Sequence, residues 1–284
     1  MSSLSIREAL AKAAGVLRLQ GLETARLDAE VILAFVLQTS RPDLYLKSED
    51  MIPAGAAKEY FSMVNRRLKR EPVAYITGEK EFMSLGFKVN RNVLIPRPDT
   101  EIMVAEALAI KPLRIIDVGT GSGAVAVSLA YYLPDCEVLA IDISPAALEA
   151  ARFNAARHGV SDRISFVQGN LLDPLGSTEL NSRFDVITAN LPYIPSPEMD
   201  NLPVDVRGYE PLGALDGGPD GLDCYREMCP RAVELLKKGG VLLLEVGYDQ
   251  AVIMRSYVNG LGYSNIETIR DLSGLDRIIK VFRS

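Results

Sequence analysis

The run Asp117-Val118-Gly119-Thr120-Gly121-Ser122-Gly123 and the apolar segment after it restrict the fold more than any other part of the chain. LRIIDVG (113–119) reads as a strand and GAVAVSLAYYL (123–133) as a helix, so the glycines form the turn between them. Glycine tolerates positive φ and lets a ligand approach the backbone, while the free N–H groups at a helix start favour a polar or anionic group. A strand, a glycine turn and a helix in this order belong to a parallel sheet with helices on both faces.

The alternation continues downstream. EVLAID (137–142) reads as a strand and Pro145 to His158 as a helix, with Ser144 as N-cap and Gly159 after its end. ISFVQG (164–169) and FDVITA (184–189) are further strands. Beyond a Pro/Gly-rich loop come a helix around Cys224 to Lys237, the strand VLLLEV (241–246), another helix, and strands near 264–270 and 277–282. A short Ser-Gly turn joins the last two, which are expected to include an antiparallel member.

Residues 1–74 have helical periodicity instead. Ser5-Ile6-Arg7-Glu8 has capping-box spacing and opens IREALAKAAGVLRLQ, which Gly21 can close. Thr24 starts ARLDAEVILAFVLQ, with Pro42 beyond its end, and AGAAKEYFSMVNRRLKR follows Pro53. From Tyr75 to Pro98, apolar alternation with Gly- or Asn-containing turns predicts a β-hairpin. The expected architecture is a small helical domain (1–74), a linking hairpin (75–98) and a doubly wound, mostly parallel α/β domain (99–284).

The composition excludes several classes. With 48% apolar and 24% charged residues the chain can bury a substantial core. Its N-terminus lacks the pattern of a secretory signal, and no apolar run approaches the ~20 residues of a membrane span, so a cytoplasmic protein is expected. Cys136, Cys224 and Cys229 suggest neither a disulfide framework nor a zinc site. The net charge of −6 divides into +4 for residues 1–98 and −10 for 99–284, which argues against broad contact with a phosphate backbone. The basic run Arg66-Arg67-Leu68-Lys69-Arg70 reads as the solvated last turn of a helix.

The chemistry-bearing residues stand at predicted strand ends. Asp142 closes the second strand, where a carboxylate can accept both hydroxyls of a ribose; a dinucleotide-binding dehydrogenase would use it in the same way. The glycine spacing is G-x-G-x-G, with Asp117 two residues ahead as strand-end cap or ligand contact. The fourth strand delivers Asn190-Leu191-Pro192-Tyr193. A conjugated NH2 is a poor nucleophile. The Asn190 side-chain oxygen and the Leu191 carbonyl can each accept one of its N–H bonds, fixing it and favouring a more pyramidal lone pair. Pro192 stiffens the turn, and Tyr193 offers a flat face to a planar acceptor. His158, the single histidine, lies at a helix end and reads as a surface residue.

The acid-x-G-x-G-x-G pattern resembles class I S-adenosylmethionine-dependent methyltransferases, and Asn-x-Pro-Tyr resembles their amino-methyltransferase branch. Together with Ile95-Pro96-Arg97-Pro98-Asp99-Thr100-Glu101, Val206-Arg207-Gly208-Tyr209-Glu210-Pro211, the loop Ala214 to Leu222 and the helical N-terminal domain, the chain resembles the HemK/PrmC-type protein-(glutamine-N5) methyltransferases. The resemblance implies a Rossmann-like sheet of seven strands, the last antiparallel, and S-adenosyl-L-methionine as cofactor, leaving S-adenosyl-L-homocysteine, with no metal. It implies a cofactor site of Asp117, Gly119, Thr120, Gly121, Ser122, Gly123, Asp142, Ile143, Asn170, Leu171 and Asn190. It also implies a catalytic and substrate-binding motif of Asn190, Leu191, Pro192 and Tyr193, with Arg97 on the substrate side. The implied partners are class I peptide chain release factors, entering through their Gly-Gly-Gln loop, with neither membrane nor nucleic acid. Two positions depart from the family: Leu191 stands where a proline is common, and Asp99 where Glu is preferred. A nucleic-acid amino-methyltransferase, a dinucleotide-dependent oxidoreductase and a non-catalytic binding module are the competing readings.

Overall fold

The computed structural model describes residues 4–176 and 183–284, and these fall into two compact units. One runs to Glu79 and includes Pro203–Tyr209; the other comprises Lys80–Leu202 and Glu210–Ser284.

The first unit is helical: α1 (Ile6–Leu19), α2 (Ala25–Val36), α3 (Arg41–Leu46), α4 (Ala54–Leu68) and α5 (Val73–Thr77). The Ser5 hydroxyl accepts the Glu8 N–H and the Glu8 carboxylate accepts the Ser5 N–H, so the capping box forms. Pro42 begins α3 instead of trailing α2, because Ser40 and Asp43 make a second capping box around it. Likewise Tyr75–Thr77 are helical where the sequence predicts hairpin, as Gly78 ends α5 in the left-handed conformation at φ 75°. Leu10, Leu17, Ile32, Leu33, Tyr60 and Val64 fill the core. The basic run is only partly solvated: Arg67 is buried on Asp28 at 2.7 Å and Arg66 clasps Glu71 at 2.8 Å. The segment 203–209 joins this unit through the Tyr209 hydroxyl, which donates to the Lys69 carbonyl at 2.6 Å.

The hairpin consists of β1 (Glu79–Phe82) and β2 (Leu85–Lys88). Its turn uses Met83 and Ser84 at φ 50° and 58°, positions that usually take Gly or Asn. The Glu101 carboxylate accepts the Met83 N–H at 2.7 Å, and the Tyr132 hydroxyl donates to the Met83 carbonyl at 2.6 Å, which holds the strained turn.

The second unit continues with α6 (Thr100–Ile110), β3 (Arg114–Val118), α7 (Ala124–Tyr132), β4 (Glu137–Asp142), α8 (Pro145–Arg157), β5 (Ile164–Gln168) and β6 (Phe184–Ala189). After α9 (Val204–Arg207), which lies in the first unit, come α10 (Asp223–Leu235), β7 (Leu236–Glu245), α11 (Ala251–Asn259), β8 (Tyr263–Arg270) and β9 (Asp276–Arg283). The sheet has seven strands in the order β5-β4-β3-β6-β7-β9-β8. Neighbours from β5 to β7 are parallel, while β9 runs antiparallel to both β7 and β8. Successive residues of β3 face opposite layers: Ile115 packs with α6 and α7 residues such as Met103 and Leu129, and Ile116 with α10 and α11 residues such as Tyr225 and Met254. β3 pairs with β4 on one side and β6 on the other, so strand order reverses there, the position where open α/β sheets form a crevice at their C-terminal edge.

Candidate active site

A cavity of about 390 Å³ occupies that crevice. Four strands contribute from their C-terminal ends: Asp117–Ser122 at the end of β3, Asp142–Ser144 at the end of β4, Gly169–Leu171 after β5 and Asn190–Pro192 after β6. Arg97 and Thr100 line it from the entry into α6. It thus gathers Asp117, Gly119, Thr120, Gly121, Ser122, Asp142, Ile143, Asn170, Leu171, Asn190, Leu191, Pro192 and Arg97. Gly123 and Tyr193, both expected in the site, are not among the lining residues.

The turn after β3 explains its own sequence. Gly119 and Thr120 both donate N–H to the Ile141 carbonyl of the neighbouring strand, at 2.9 and 3.0 Å. Gly119 has φ 71°, and a Cβ there would lie 3.0 Å from Leu191 Cδ2, so glycine keeps this backbone open beside the cavity. Gly123 serves packing: at φ 79°, its Cβ would lie 3.1 Å from the Ala151 backbone, where α7 meets α8. Asp117 and Thr188 are register partners on β3 and β6. The Thr120 and Thr188 hydroxyls donate to the Asp117 carboxylate at 2.7 and 2.8 Å. Burial nonetheless pushes Asp117 up to about 6. The carboxylate therefore supports the turn from beneath.

Asp142 is held by two backbone groups, the Gly121 N–H at 2.8 Å on one oxygen and the Ser144 N–H at 2.9 Å on the other. Each oxygen retains a lone pair for a hydroxyl donor. Burial raises its pKa, and the two N–H donors oppose that rise. Asn170 donates Nδ2–H to Glu227 at 2.7 Å. Ile143 lines the cavity while remaining exposed.

The Asn190 turn is braced on several sides. Asn190 Nδ2 donates to the Thr100 hydroxyl at 3.0 Å. The Leu191 N–H donates to the Tyr225 hydroxyl at 3.2 Å, and the same hydroxyl donates to the Glu245 carbonyl and lies 3.3 Å from the Leu191 carbonyl. A proline at 191 would have no N–H to give, so the Tyr225 contact anchors this chain's turn where ring stiffness is missing. Ile194 pairs with the loop Ala214 to Leu222: its N–H donates to Leu215 and its carbonyl accepts from Gly217. Gln250 donates to the Tyr193 carbonyl at 2.7 Å. The half-buried Tyr193 ring packs against the core, and its hydroxyl reaches Glu245 at 3.5 Å.

Glu245, Thr188 and Tyr225 were not expected from the sequence, nor was the bond from Asn190 to Thr100. The available signal was Glu245, a single acid inside the apolar run VLLLEV. It is 1% exposed, and burial pushes its pKa up to about 7, opposed chiefly by the neighbouring Thr100 hydroxyl. Arg97 pairs with the buried Glu210 at 2.6 Å, and the other Glu210 oxygen accepts the Ile95 N–H at 3.2 Å, so this arginine is at least a structural partner. His158 caps α8 with a ring nitrogen 2.9 Å from the Gly86 carbonyl and has no part in the cavity. Among the described residues, no group of His, Cys, Asp and Glu is placed to hold a metal ion.

A glycine turn, an oriented carboxylate and a polar strand-end motif around one crevice suit a nucleoside-bearing ligand beside a planar acceptor. The family description "Methyltransferase domain" matches residues 111–260, and this chain is a methyltransferase of the doubly wound α/β kind. A solved methyltransferase from Pyrococcus furiosus shares that fold, with a TM-score of 0.55 and 19% identity over 77% of this chain and 96% of that one. The description "PrmC N-terminal domain" matches residues 8–78. Release factor glutamine methyltransferase from Moorella thermoacetica is 44% identical over 99% of both chains, and the one from Geobacter sulfurreducens 41% identical over 97% of this chain and 95% of its own. The chain belongs to the release factor glutamine methyltransferase family.

Proposed function

We propose that this enzyme methylates the side-chain amide nitrogen, N5, of the glutamine in the Gly-Gly-Gln motif of class I peptide chain release factors, with S-adenosyl-L-methionine as donor and S-adenosyl-L-homocysteine as product. The observation that carries the proposal is Asn190 at the end of β6. It lines the cavity with Nδ2 engaged by Thr100, which leaves Oδ1 as the free end of the amide.

The cavity residues suit this cofactor. A volume of about 390 Å³ is within the range of small-molecule sites, the Gly119 backbone lacks the Cβ that would crowd Leu191, and Asp142 presents two oriented oxygens. In this reading Gly119–Ser122, above Asp117, hold the methionine portion, Asp142 the ribose, and Ile143, Asn170 and Leu171 the adenine. The bound cofactor supplies an electrophilic methyl carbon on a positively charged sulfur.

The chain's residues do the rest by positioning. Asn190 Oδ1 accepts one N–H of the glutamine amide, and the Leu191 carbonyl accepts the other with the lone pair that Tyr225 leaves it. The nitrogen is thereby fixed with its lone pair directed at the methyl carbon, and the two oxygens favour the positive charge that develops on it. No strong base is needed before transfer: as the N–C bond forms and the S–C bond breaks, the nitrogen becomes acidic and loses one proton to water. Pro192 and the 214–222 loop keep the turn rigid; Tyr193 flanks the acceptor. Arg97, one-third exposed at the cavity, faces the substrate side. The site belongs in the cytoplasm, consistent with three free thiols.

Incubation with labelled S-adenosylmethionine, purified release factor, DNA and ribosomal RNA, followed by mapping, tests the reading. Label is expected on the Gly-Gly-Gln glutamine. Label on nucleic acid alone would overturn the assignment of substrate.

A further inference from the structure

We propose that Gln250 is a positioning residue for methyl transfer: its buried side-chain amide fixes the backbone of the acceptor turn and joins it to the 214–222 loop as one block. The proposal rests on the reading of Asn190 and Leu191 given above and extends it to a group outside the cavity lining. β6 ends at Ala189, and its register pairs with β3 and β7 stop there. The oxygens of Asn190 and Leu191 are therefore only as well placed as the turn that carries them. Tyr225 holds that turn at Leu191. Its far side needs a second hold.

Gln250 supplies it. Nε2 donates to the Tyr193 carbonyl at 2.7 Å and to the Asp220 carbonyl at 3.1 Å, while Oε1 accepts the Gly247 N–H at 2.8 Å. The residue is 5% exposed, so these contacts are made away from water. Two carbonyls call for two protons and one N–H calls for a lone pair. A glutamine amide meets both needs, and a carboxylate of the same shape has no proton to give. Turned over, the amide would set like against like at all three contacts. The side chain therefore sits in one orientation and draws three separate turns onto itself.

The 214–222 loop is shaped to reach it. Ile194 exchanges backbone bonds with Leu215 and Gly217, and the Ser196 N–H donates to the Gly218 carbonyl at 2.8 Å. A Cβ at Gly217 would lie 2.5 Å from the Pro192 carbonyl oxygen. One at Gly221, where φ is 78°, would overlap the Tyr193 carbonyl and Gln250 Nε2. These glycines, which the cofactor and acceptor readings leave unused, let two backbones meet around one side chain. The same loop lines the cavity at Ala214 and Asp216, so the acceptor turn and this wall move together. The three groups that Gln250 binds lie at residues 193, 220 and 247, outside the turns after β3, β4 and β5 that would hold the cofactor. Loss of the amide should therefore shift the acceptor side and spare the cofactor side.

The test compares wild type, Gln250→Glu and Gln250→Met with intact release factor and labelled S-adenosylmethionine, alongside calorimetry with S-adenosylhomocysteine. Gln250→Glu keeps the shape and still accepts the Gly247 N–H, but sets a negative oxygen against the Tyr193 and Asp220 carbonyls. Its kcat is expected to fall about 100-fold, as misplacing a reacting group does, with cofactor affinity and stoichiometry close to wild type. Gln250→Met fills the space without donors or charge and should show the same split. Wild-type kcat in Gln250→Glu would mean that the residue serves only the turn after β7. Wild-type kcat in Gln250→Met, or loss of cofactor binding in step with kcat in both variants, would reduce it to packing. Each result overturns the proposal, while label on the Gly-Gly-Gln glutamine in wild type leaves the substrate assignment standing. If wild type labels no glutamine, both proposals fall together.

Discussion

Replacing Asp117 with asparagine should stabilise the protein at neutral pH and leave its stability in acid nearly unchanged. The carboxylate is 2% exposed, and burial raises its pKa from 3.8 to about 6 even with two hydroxyl donors on it. At 1.36 kcal/mol per unit, a shift of about two units corresponds to up to about 3 kcal/mol. The native state binds this proton more tightly than the unfolded chain does, so stability falls as pH rises from 3.8 to about 6, and the full deficit persists above. Asparagine has the same shape and avoids the buried charge. Its oxygen can take one threonine hydroxyl and its NH2 can donate to the other, leaving no orphan. Urea unfolding of both proteins from pH 4 to 8 should give curves that converge at the acid end and separate above about pH 6. A variant equally stable or less stable at pH 8, or a gap independent of pH, would refute the reasoning.

Asn190→Ala should abolish methyl transfer while cofactor affinity stays near wild type; normal turnover would defeat the positioning mechanism. Tyr225→Phe strands the buried Leu191 N–H and should cost about 1–3 kcal/mol in chemical denaturation, together with a lower kcat. Gly119→Ala forces an L-residue to φ 71° and should cost about 1–2 kcal/mol. It also sets a methyl against Leu191, so cofactor affinity should fall, and unchanged affinity would show that this backbone does not border the ligand.

The sheet was legible because buried parallel strands are short apolar runs with clear boundaries, and β4 and β6 match their predicted ends residue for residue. Helix α6 was missed. TEIMVAEALAI is apolar nearly all round, so it lacks the polar stripe that marks a helix, and Asp99 makes no side-chain cap. α3 and α5 are too short to show a period, and the Met83–Ser84 turn lacks the residues that announce a hairpin. At the site, residues on one strand end or one turn were readable together, as Asn190 to Pro192 and Gly119 to Ser122 show. Pairs joined only by topology were not. Thr100 is 90 residues from Asn190, and Tyr225 is 34 from Leu191. Tyr193 and Gly123 lie off the cavity lining, because a motif position can be held by packing as well as by contact with a ligand.

The place of β9 between β7 and β8 bears on how the chain is made. During synthesis β8 emerges before β9, its one partner among the described residues, and β7 keeps a bare outer edge until Asp276–Arg283 can pair with it. A product truncated between Arg270 and Asp276 therefore carries two unmatched strands at once, both open to pairing with another copy. Closure of this edge of the sheet thus waits for β9.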